Sequence, residues 1–232
     1  MGLYIILMGV QGAGKGVQAG FISNTYEIPH VSTGDLFRAM RTREDELAKK
    51  VQSIMAAGDL ISDDITNEIV ADRLSQADAR NGVILDGYPR NAAQADFLAD
   101  LLAQKGEKVN AVLLLDLPLY TAFKRAFGRV TATNGDSYNY YFKQGDVEFA
   151  LEEHDSKQFP PRIVATLNGE ELKRRPDDAD ATAVIKRIDT YLASTMPLIE
   201  YYEEKGVVQR IDAEQSIEAV SARIKEILDS VK

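Results

Sequence analysis

The sequence contains no cysteine and only two histidines among its 232 residues. The absence of cysteine excludes disulfides and cysteine-ligated metal, so we expect no structural zinc site, and it fits the reducing cytoplasm. Basic residues are fewer than acidic ones. The chain has 27 Lys and Arg and 36 Asp and Glu, which gives a net charge of -9. This balance argues against a protein that coats nucleic acid or an anionic membrane.

Long hydrophobic runs are missing as well. The apolar stretch Leu3–Val10 has no basic region before it and no small-residue cleavage site after it, so we interpret it as a buried strand. No run approaches the ~20 apolar residues that span a bilayer. Because 45% of the residues are hydrophobic, the chain can form a sizeable core. We expect a cytoplasmic monomer that binds neither membrane nor nucleic acid.

Short β-rich runs alternate with segments of helical periodicity along most of the chain. This alternation predicts an α/β fold, in which a parallel sheet is covered by helices. The predicted strands are Tyr4–Met8, Val83–Leu85, Ala111–Leu115 and Val207–Ile211. The predicted helices are Lys15–Thr25, Gly34–Ala57, Asp64–Gln76, Asn91–Lys105, Leu119–Phe127, Ala181–Lys205 and Ser216–Val231.

The segment Val130–Pro176 breaks this alternation. It is polar, with turn pairs at Asn134-Gly135, Pro160-Pro161 and Asn168-Gly169. A structureless loop of that length is improbable in a compact domain. The segment therefore predicts a small inserted lobe, built mostly of short strands.

The first predicted strand leads directly into GVQGAGK at residues 9–15, the G-x-x-x-x-G-K pattern of a phosphate-binding loop. Glycines let the backbone curl so that its N–H groups point inward, and the following helix dipole favours an anion. Lys15 adds a positive charge for the transferring phosphates. A glycine-rich turn with a solvated lysine is the alternative, but the position directly after a strand favours phosphate binding.

The loop departs from the general pattern at Gly16, where a Ser or Thr would bind Mg²⁺ directly. A metal would then be held by the nucleotide, by water and by another carboxylate. Asp86 ends a predicted strand, which is where an α/β sheet presents an acid to a ligand. The alternative for Asp86 is a helix cap or a turn aspartate.

Several ordered motifs resemble those of the adenylate kinases, a family of nucleoside-monophosphate kinases. They are GAGKG at 12–16, STGDLFR at 32–38, GDLISD at 58–63, DGYPR at 86–90 with Gln94, KRAFGR at 124–129, and RPDD at 175–178 with Arg187. The resemblance covers nearly the whole chain. It implies a P-loop core with a five-stranded parallel sheet, formed by residues 1–31, 62–128 and 177–232, a helical AMP-binding lobe at 32–61 and a mobile lid at 129–176.

The resemblance also implies an activity, the reversible reaction ATP + AMP = 2 ADP, with Mg²⁺ bound to ATP mainly through phosphates and water. Motif by motif, ATP would be bound by Gly12, Ala13, Gly14, Lys15, Gly16, Val17 and Arg125. AMP would be bound by Thr33, Arg38, Gly87, Arg90, Gln94, Arg175 and Arg187. The phosphates in transfer would be surrounded by Lys15, Arg90, Arg125, Arg129, Arg175 and Arg187, while Asp86 would hold the magnesium water shell.

The chemistry supports such an arginine-rich site. In-line phosphoryl transfer requires two anionic nucleotides to be brought together, their charge to be neutralised and water to be excluded. Guanidinium groups are permanently charged and grip phosphate through two donors. Single arginines on helices are usually solvated, but the four-residue step from Arg125 to Arg129 puts both on one helical face if the helix continues that far.

The chain departs from the family pattern at several positions. Val17 replaces a usual Thr, and Val10-Gln11 replaces a pair that ends in Pro, which could loosen the loop. Tyr88 replaces a frequent Phe, at a site we expect to be partly open. The predicted lid lacks the four cysteines of zinc-binding lids and is longer than usual, with Phe149–Val164 as the extra material.

Two alternative functions stay open. Thr33 favours AMP, because the related pyrimidine monophosphate kinases usually carry Ala there, although Thr33 could also be a helix N-cap. A kinase for CMP, UMP or GMP is the first alternative. A nucleotide-binding module that has lost turnover is the second, and Gln11 and Val17 are the residues that favour it.

Overall fold

A computed structural model describes residues 2–57, 61–142, 145–151 and 163–232. The chain divides into two compact units. The first consists of Met1–Gly9, Gly14–Asp116 and Ala193–Lys232, and the second consists of Val10–Ala13 and Leu117–Leu192. The predicted boundaries of core, AMP lobe and lid stay predictions.

The first unit is built on a five-stranded parallel sheet. Its strands are β1 Leu3–Met8, β2 His30–Ser32, β3 Gly82–Asp86, β4 Ala111–Asp116 and β10 Val208–Asp212, in the order β10-β4-β1-β3-β2. β1 is central and buried along its whole length, as expected for a strand covered on both faces. The predicted α/β fold with a five-stranded parallel sheet is confirmed. β2 was not located by the sequence pattern, because three residues with a polar residue at each end carry no apolar signal.

Helices precede or follow these strands along the chain. They are α1 Lys15–Tyr26, α2 Thr33–Met40, α3 Glu46–Ala57, α4 Asp63–Ser75, α5 Ala92–Ala103, α6 Leu119–Phe127, α7 Pro176–Ala179, α8 Ala181–Glu204 and α9 Ile217–Val231, with a 3₁₀ turn at Ala77–Ala79. All the predicted helices except one agree with these bounds within two residues.

The predicted continuous helix Gly34–Ala57 is wrong, because the chain breaks between α2 and α3. The Asp45 side chain accepts from the backbone N–H of Ala48 at 3.1 Å and so starts α3 anew. The Gln52 amide donates to the carbonyls of Met40 at 2.7 Å and Arg43 at 2.9 Å. These bonds satisfy the backbone groups that a helix break leaves unpaired.

Two of the apolar clusters in the first unit involve α4. The larger one packs the sheet against α4, α5 and the C-terminal part of α8, with Leu85, Leu98 and Val112 fully buried. The smaller one joins α2, α3 and α4 through Met40, Ala48, Val51, Ile65 and Ile69. Residues of the predicted AMP lobe therefore share a core of their own with the start of α4.

The second unit combines α6 and α7 with short antiparallel strands. β5 Arg129–Thr131 pairs with β6 Ser137–Asn139, and β8 Ile163–Leu167 pairs with both β7 Glu148–Leu151 and β9 Glu170–Glu171. Their core contains Val130, Ala165 and Leu172. The prediction of short strands in this region is confirmed. Most of the predicted extra lid material falls on residues 152–162, outside the described residues.

Helix α6 has the predicted bounds, so the condition under which Arg125 and Arg129 would share a helical face is not met. The helix ends at Phe127, and Arg129 begins β5. The Asn139 amide donates to the carbonyls of Lys124 at 3.3 Å and Arg125 at 2.9 Å, which closes the last helical turn. Arg125 and Arg129 therefore do not share a helical face.

Within the described ranges, no helix has the length and hydrophobicity that a membrane span requires.

Candidate active site

The phosphate loop begins directly after β1, and its residues in the first unit surround the start of α1. Gly14 is the N-cap of α1 with φ 91°, a left-handed conformation that favours glycine. Lys15 is half-buried, and its ammonium donates to the carbonyl of Gly9 at 2.8 Å. The ammonium therefore lies against the backbone of the loop, next to the positive end of the helix.

Two of the unusual loop positions are open to solvent. The Val17 side chain is 53% exposed. A Cβ added at Gly16 would meet no atom within 4 Å. Packing therefore explains neither the Val nor the Gly, because a hydroxyl-bearing residue would fit at both positions.

The remaining loop residues, Val10–Ala13, lie in the second unit against α6. Gly12 has φ 91°, and a Cβ there would come within 2.9 Å of the Ala122 carbonyl and 3.1 Å of the Arg125 Cβ. Only glycine lets the loop approach the helix this closely. Gly12 thus places the loop backbone beside Arg125, which is half-buried.

Asp178 is the centre of a charged cluster in the second unit and has no exposed side-chain surface. Its Oδ2 accepts from Arg129, with Nε at 2.9 Å and Nη2 at 2.6 Å. Its Oδ1 accepts from the Gln11 amide at 2.7 Å and from Arg187 Nη1 at 3.3 Å. The carboxylate therefore holds two of the predicted arginines and anchors the side chain of the phosphate-loop residue Gln11.

A third arginine, Arg174, lies beside this cluster and was not predicted. Arg174 donates to the carbonyls of Phe127 and, at 3.0 Å, Asp178, and its guanidinium carbon lies 4.9 Å from the centre of the Phe127 ring. Burial lowers the pKa of Arg174. The predicted residue, Arg175, is exposed, and its carbonyl accepts from the Asp178 N–H at 3.0 Å. Two adjacent arginines look alike in sequence, so only the fold distinguishes the half-buried one from the exposed one.

The loop after β3 brings three of the predicted AMP-binding residues into contact. Gly87 has φ 78°, and a Cβ there would lie 2.8 Å from Thr33 Oγ1. Its carbonyl accepts from Thr33 Oγ1 at 3.0 Å and from Arg90 Nε at 2.9 Å, and Arg90 Nη2 lies 3.3 Å from the threonine hydroxyl. Ser32 is the N-cap of α2, so the N-cap interpretation of Thr33 is wrong.

Gln94 is buried at the start of α5, with both ends of its amide hydrogen-bonded. Its Oε1 accepts from the Arg90 N–H at 2.8 Å, and its Nε2 donates to Asp63 at 2.6 Å. The other Asp63 oxygen accepts from Asn91 Nδ2 at 2.9 Å, and Asn91 Oδ1 accepts from the Gln94 N–H at 2.9 Å. Asp63 ends the GDLISD motif, but its contact with Gln94 was not predicted.

Tyr88 is 1% exposed, so the expectation of a partly open site is wrong. Its hydroxyl donates to Asn67 Oδ1 at 2.6 Å and contacts the Gln94 carbonyl at 3.3 Å. Burial, with the nearby Asp63 charge, raises its pKa. The phenol therefore stays protonated and serves as a donor. Asp63 and Asn67 are one turn apart on α4, so this helix contacts Gln94 through one residue and Tyr88 through the other.

Arg38, the remaining predicted AMP ligand, lies on α2. Its side chain is 66% exposed and pairs with Asp35 of the same helix, which is 65% exposed. Exposed ion pairs of this kind contribute at most about 1 kcal/mol. The guanidinium can therefore leave Asp35 for a phosphate at little cost.

Asp86 is the last residue of β3, at the carboxyl edge of the sheet. It is in register with Leu7 of β1 and Ser32 of β2, and its Oδ2 lies 3.5 Å from His30 Nε2. Asn91 rather than Asp86 caps α5, so the cap interpretation of Asp86 is wrong. Across the described residues, no group of three or more His, Cys, Asp or Glu could hold a metal ion. Asp86 therefore fits a metal held mainly by phosphates and water.

Comparison with known proteins identifies the family. The adenylate kinase family model matches residues 7–207. The adenylate kinase of Listeria monocytogenes serotype 4a (strain HCC23) is 39% identical over 229 residues, which cover 97% of this chain and 99% of the relative. The adenylate kinase of Shouchella clausii (strain KSM-K16) is 40% identical over 225 residues, covering 97% of each chain. The adenylate kinase of Clostridium tetani (strain Massachusetts / E88) is 39% identical over 228 residues, covering 98% of this chain and 99% of the relative.

The predicted resemblance is confirmed by these matches, which extend over nearly the full length of both chains. The phosphate loop and the arginine-rich sites described above have the chemistry that phosphoryl transfer requires. The chain therefore belongs to the adenylate kinase family and is a phosphotransferase that acts on nucleotides.

Proposed function

We propose that the protein catalyses the reversible reaction ATP + AMP = 2 ADP by direct in-line phosphoryl transfer, as a cytoplasmic monomer. The observation that carries this proposal is the contact between Thr33, Gly87 and Arg90 in the loop after β3. It joins a buried hydroxyl, a glycine carbonyl and a guanidinium at the carboxyl edge of the sheet, where α/β proteins bind their ligands. We assign this loop to AMP.

On the acceptor side, Arg38 and Arg90 bind the AMP phosphate, while Thr33, Gly87 and Gln94 orient the rest of the nucleotide. This division follows from charge, because arginines pair with phosphate whereas a neutral amide suits a base or sugar. Both arginines have exposed side-chain surface, so an incoming phosphate can reach them.

On the donor side, the phosphates of ATP bind the loop Gly12–Val17, with Lys15 beside the transferring group. Arg125 and Arg129 neutralise the remaining charge, together with Arg175 and Arg187. Such preorganised charges stabilise a transition state better than water does, because they need not reorient during the reaction. Direct transfer also requires both nucleotides to be bound at once.

Magnesium accompanies ATP in this proposal. When bound, it neutralises phosphate charge and orients the phosphoryl group. Asp86 accepts hydrogen bonds from its water shell, since Gly16 provides no hydroxyl ligand. The carboxylate keeps exposed surface for this role, with 18% of its side chain accessible.

The test is ADP formation from ATP with AMP, CMP, UMP or GMP, each measured with Mg²⁺ and with excess EDTA. We expect turnover with AMP and Mg²⁺ to exceed every other combination. Lys15→Ala protein prepared in parallel corrects for contaminating kinases. Preference for another monophosphate would reassign the substrate, and tight ATP binding without any ADP would identify a binding module. Gel filtration coupled to light scattering tests the monomer.

A further inference from the structure

The carboxylate of Asp63 makes contacts that the proposed transfer reaction itself does not need. It binds the Gln94 amide through one oxygen and the Asn91 amide through the other, at 2.6 Å and 2.9 Å. Asp63 is also the first residue of α4, so its backbone position is set by a helix. We propose that Asp63 is a specificity-determining residue, which holds the Gln94 amide in one orientation and thereby selects adenine over a 6-oxopurine. This inference rests on the proposed binding of AMP at Gln94.

The orientation of both amides follows from groups that can only donate or only accept. The Arg90 N–H must donate, so it requires the oxygen of Gln94, and an ionised Asp63 must accept, so it requires the nitrogen. In the same way, the Gln94 N–H requires the Asn91 oxygen, which turns the Asn91 nitrogen toward Asp63. Rotating the Gln94 amide by half a turn would put donor against donor and acceptor against acceptor.

The fixed amide still has unused hydrogen-bonding capacity. An amide nitrogen carries two hydrogens and an amide oxygen has two lone pairs, and each is engaged once by the protein. One N–H and one lone pair of Gln94 therefore have no protein partner among the described residues. The side chain is 3% exposed, and AMP bound there as proposed would meet this acceptor and donor side by side, in the order that Asp63 fixes.

Adenine matches that order and hypoxanthine does not. Adenine offers the 6-amino donor next to a ring-nitrogen acceptor, so a side-chain amide can bind it through two bonds. Hypoxanthine carries an oxygen at position 6 and a hydrogen on the neighbouring ring nitrogen, which reverses donor and acceptor. A freely rotating glutamine could accept either base, whereas the one held by Asp63 accepts adenine. Sites built to pair a polar group strongly reject an analogue that lacks it.

The experiment compares AMP with IMP as acceptors, since the two share the ribose and the phosphate and differ in the base. We would measure kcat/KM for each at saturating Mg-ATP, in the wild type and in Asp63→Asn. The asparagine amide can face Gln94 with either its nitrogen or its oxygen, so it no longer favours one orientation. We expect the ratio of IMP to AMP efficiency to rise about tenfold, equivalent to about 1.4 kcal/mol.

Asp64→Asn is the matched control. It removes the same charge from the next residue of the same helical turn, and Asp64 is exposed. Its IMP to AMP ratio should equal that of the wild type. Asn91→Ser is a second variant, since serine keeps the helix cap but cannot reach Asp63, and we expect a smaller rise in the ratio.

The outcomes separate the inference from the proposed function. Absence of wild-type turnover with AMP would refute the proposed function. Normal AMP turnover in the wild type, with an equal loss of both activities in Asp63→Asn, would mean that Asp63 only stabilises the loop, and the inference would be overturned. If Asp63→Asn does not fold, an unchanged ratio in Asn91→Ser overturns the inference instead.

Discussion

Two carboxylates organise the two units, and they do so in different ways. Asp63 in the first unit holds neutral amides, and each of its oxygens has one partner. Asp178 in the second unit is buried and holds two arginines, and its Oδ1 is shared between Gln11 and Arg187. The first arrangement fixes an orientation, whereas the second balances charge.

Under the proposed function, the difference follows from what each group has to recognise. A base is distinguished by the order of donors and acceptors, so the amide that reads it must not rotate. A phosphate is bound by charge, so its arginines must be neutralised while no ligand is bound and must then be able to exchange partners. The shared Oδ1 suits this exchange, because its distance to Arg187 is 3.3 Å against 2.7 Å to Gln11.

The largest effect is expected for Lys15→Ala, which tests the binding of phosphate by charge. We expect turnover to fall by about 10² to 10³, the usual loss when one preorganised charge-stabilising group is removed. Folding should survive, because the half-buried lysine lies in the phosphate loop, where it donates to a loop carbonyl. The fall in turnover is measured from the initial rate of ADP formation in both proteins.

Lys108→Ala is the control for Lys15, because it removes a lysine from an exposed loop position. It should keep wild-type turnover. Near-normal turnover in well-folded Lys15→Ala would refute the phosphate-loop assignment.

Asp178→Asn should mainly affect stability. Removing one partner of a buried ion pair leaves the other charge uncompensated, so the free energy of unfolding should fall by about 3 kcal/mol. Asp189→Asn, at an exposed position of α8, should leave it within about 0.5 kcal/mol of the wild type. Urea unfolding followed by circular dichroism suits this chain, which has no tryptophan. Equal stability of the two variants would contradict the central role of Asp178.

Tyr88→Phe tests a hydrogen bond between neutral side chains of the first unit and should have a smaller effect. The loss of the hydrogen bond to Asn67 should lower the free energy of unfolding by about 1 kcal/mol. Tyr120→Phe, at a residue that is 74% exposed, is the control and should change nothing.

The Tyr88 difference should depend on pH in one direction. Because the pKa of Tyr88 is raised by burial, the folded protein keeps this proton above pH ~10 while the unfolded chain loses it. The wild type therefore loses stability as the pH rises through that range, and Phe does not. The advantage of Tyr88 should be complete below pH ~10 and shrink above it. A difference that grows with pH would show that the hydroxyl is not buried as described.

Val17→Thr should have the smallest effect. A hydroxyl at this exposed position could donate to a phosphate, and we expect a gain of at most about fivefold in kcat/KM, or roughly 1 kcal/mol. Because the side chain is 53% exposed, the melting temperature should not change. Val17→Ala is the control, and its kcat/KM should stay at the wild-type value. A lower melting temperature with unchanged kinetics would indicate that Val17 has a packing role.

Local patterns were sufficient for much of this protein. Apolar runs located four strands of the parallel sheet, because strands buried on both faces are apolar along their length. The phosphate loop was identified by its glycines and its place after β1, since these features are contiguous in the chain. Turn residues located a lobe of short strands for the same reason.

Only the tertiary structure decided which of the candidate side chains are buried and which partners they bind. Sequence patterns could not show that Asp178 is the buried partner of Arg129, that Arg174 is half-buried while Arg175 is exposed, or that Asp63 contacts Gln94. Each of these facts depends on residues between 31 and 49 positions apart or on the packing of a whole unit. Burial and hydrogen-bond partners are set by the folded chain, whereas residue type and local spacing are all that the sequence by itself determines.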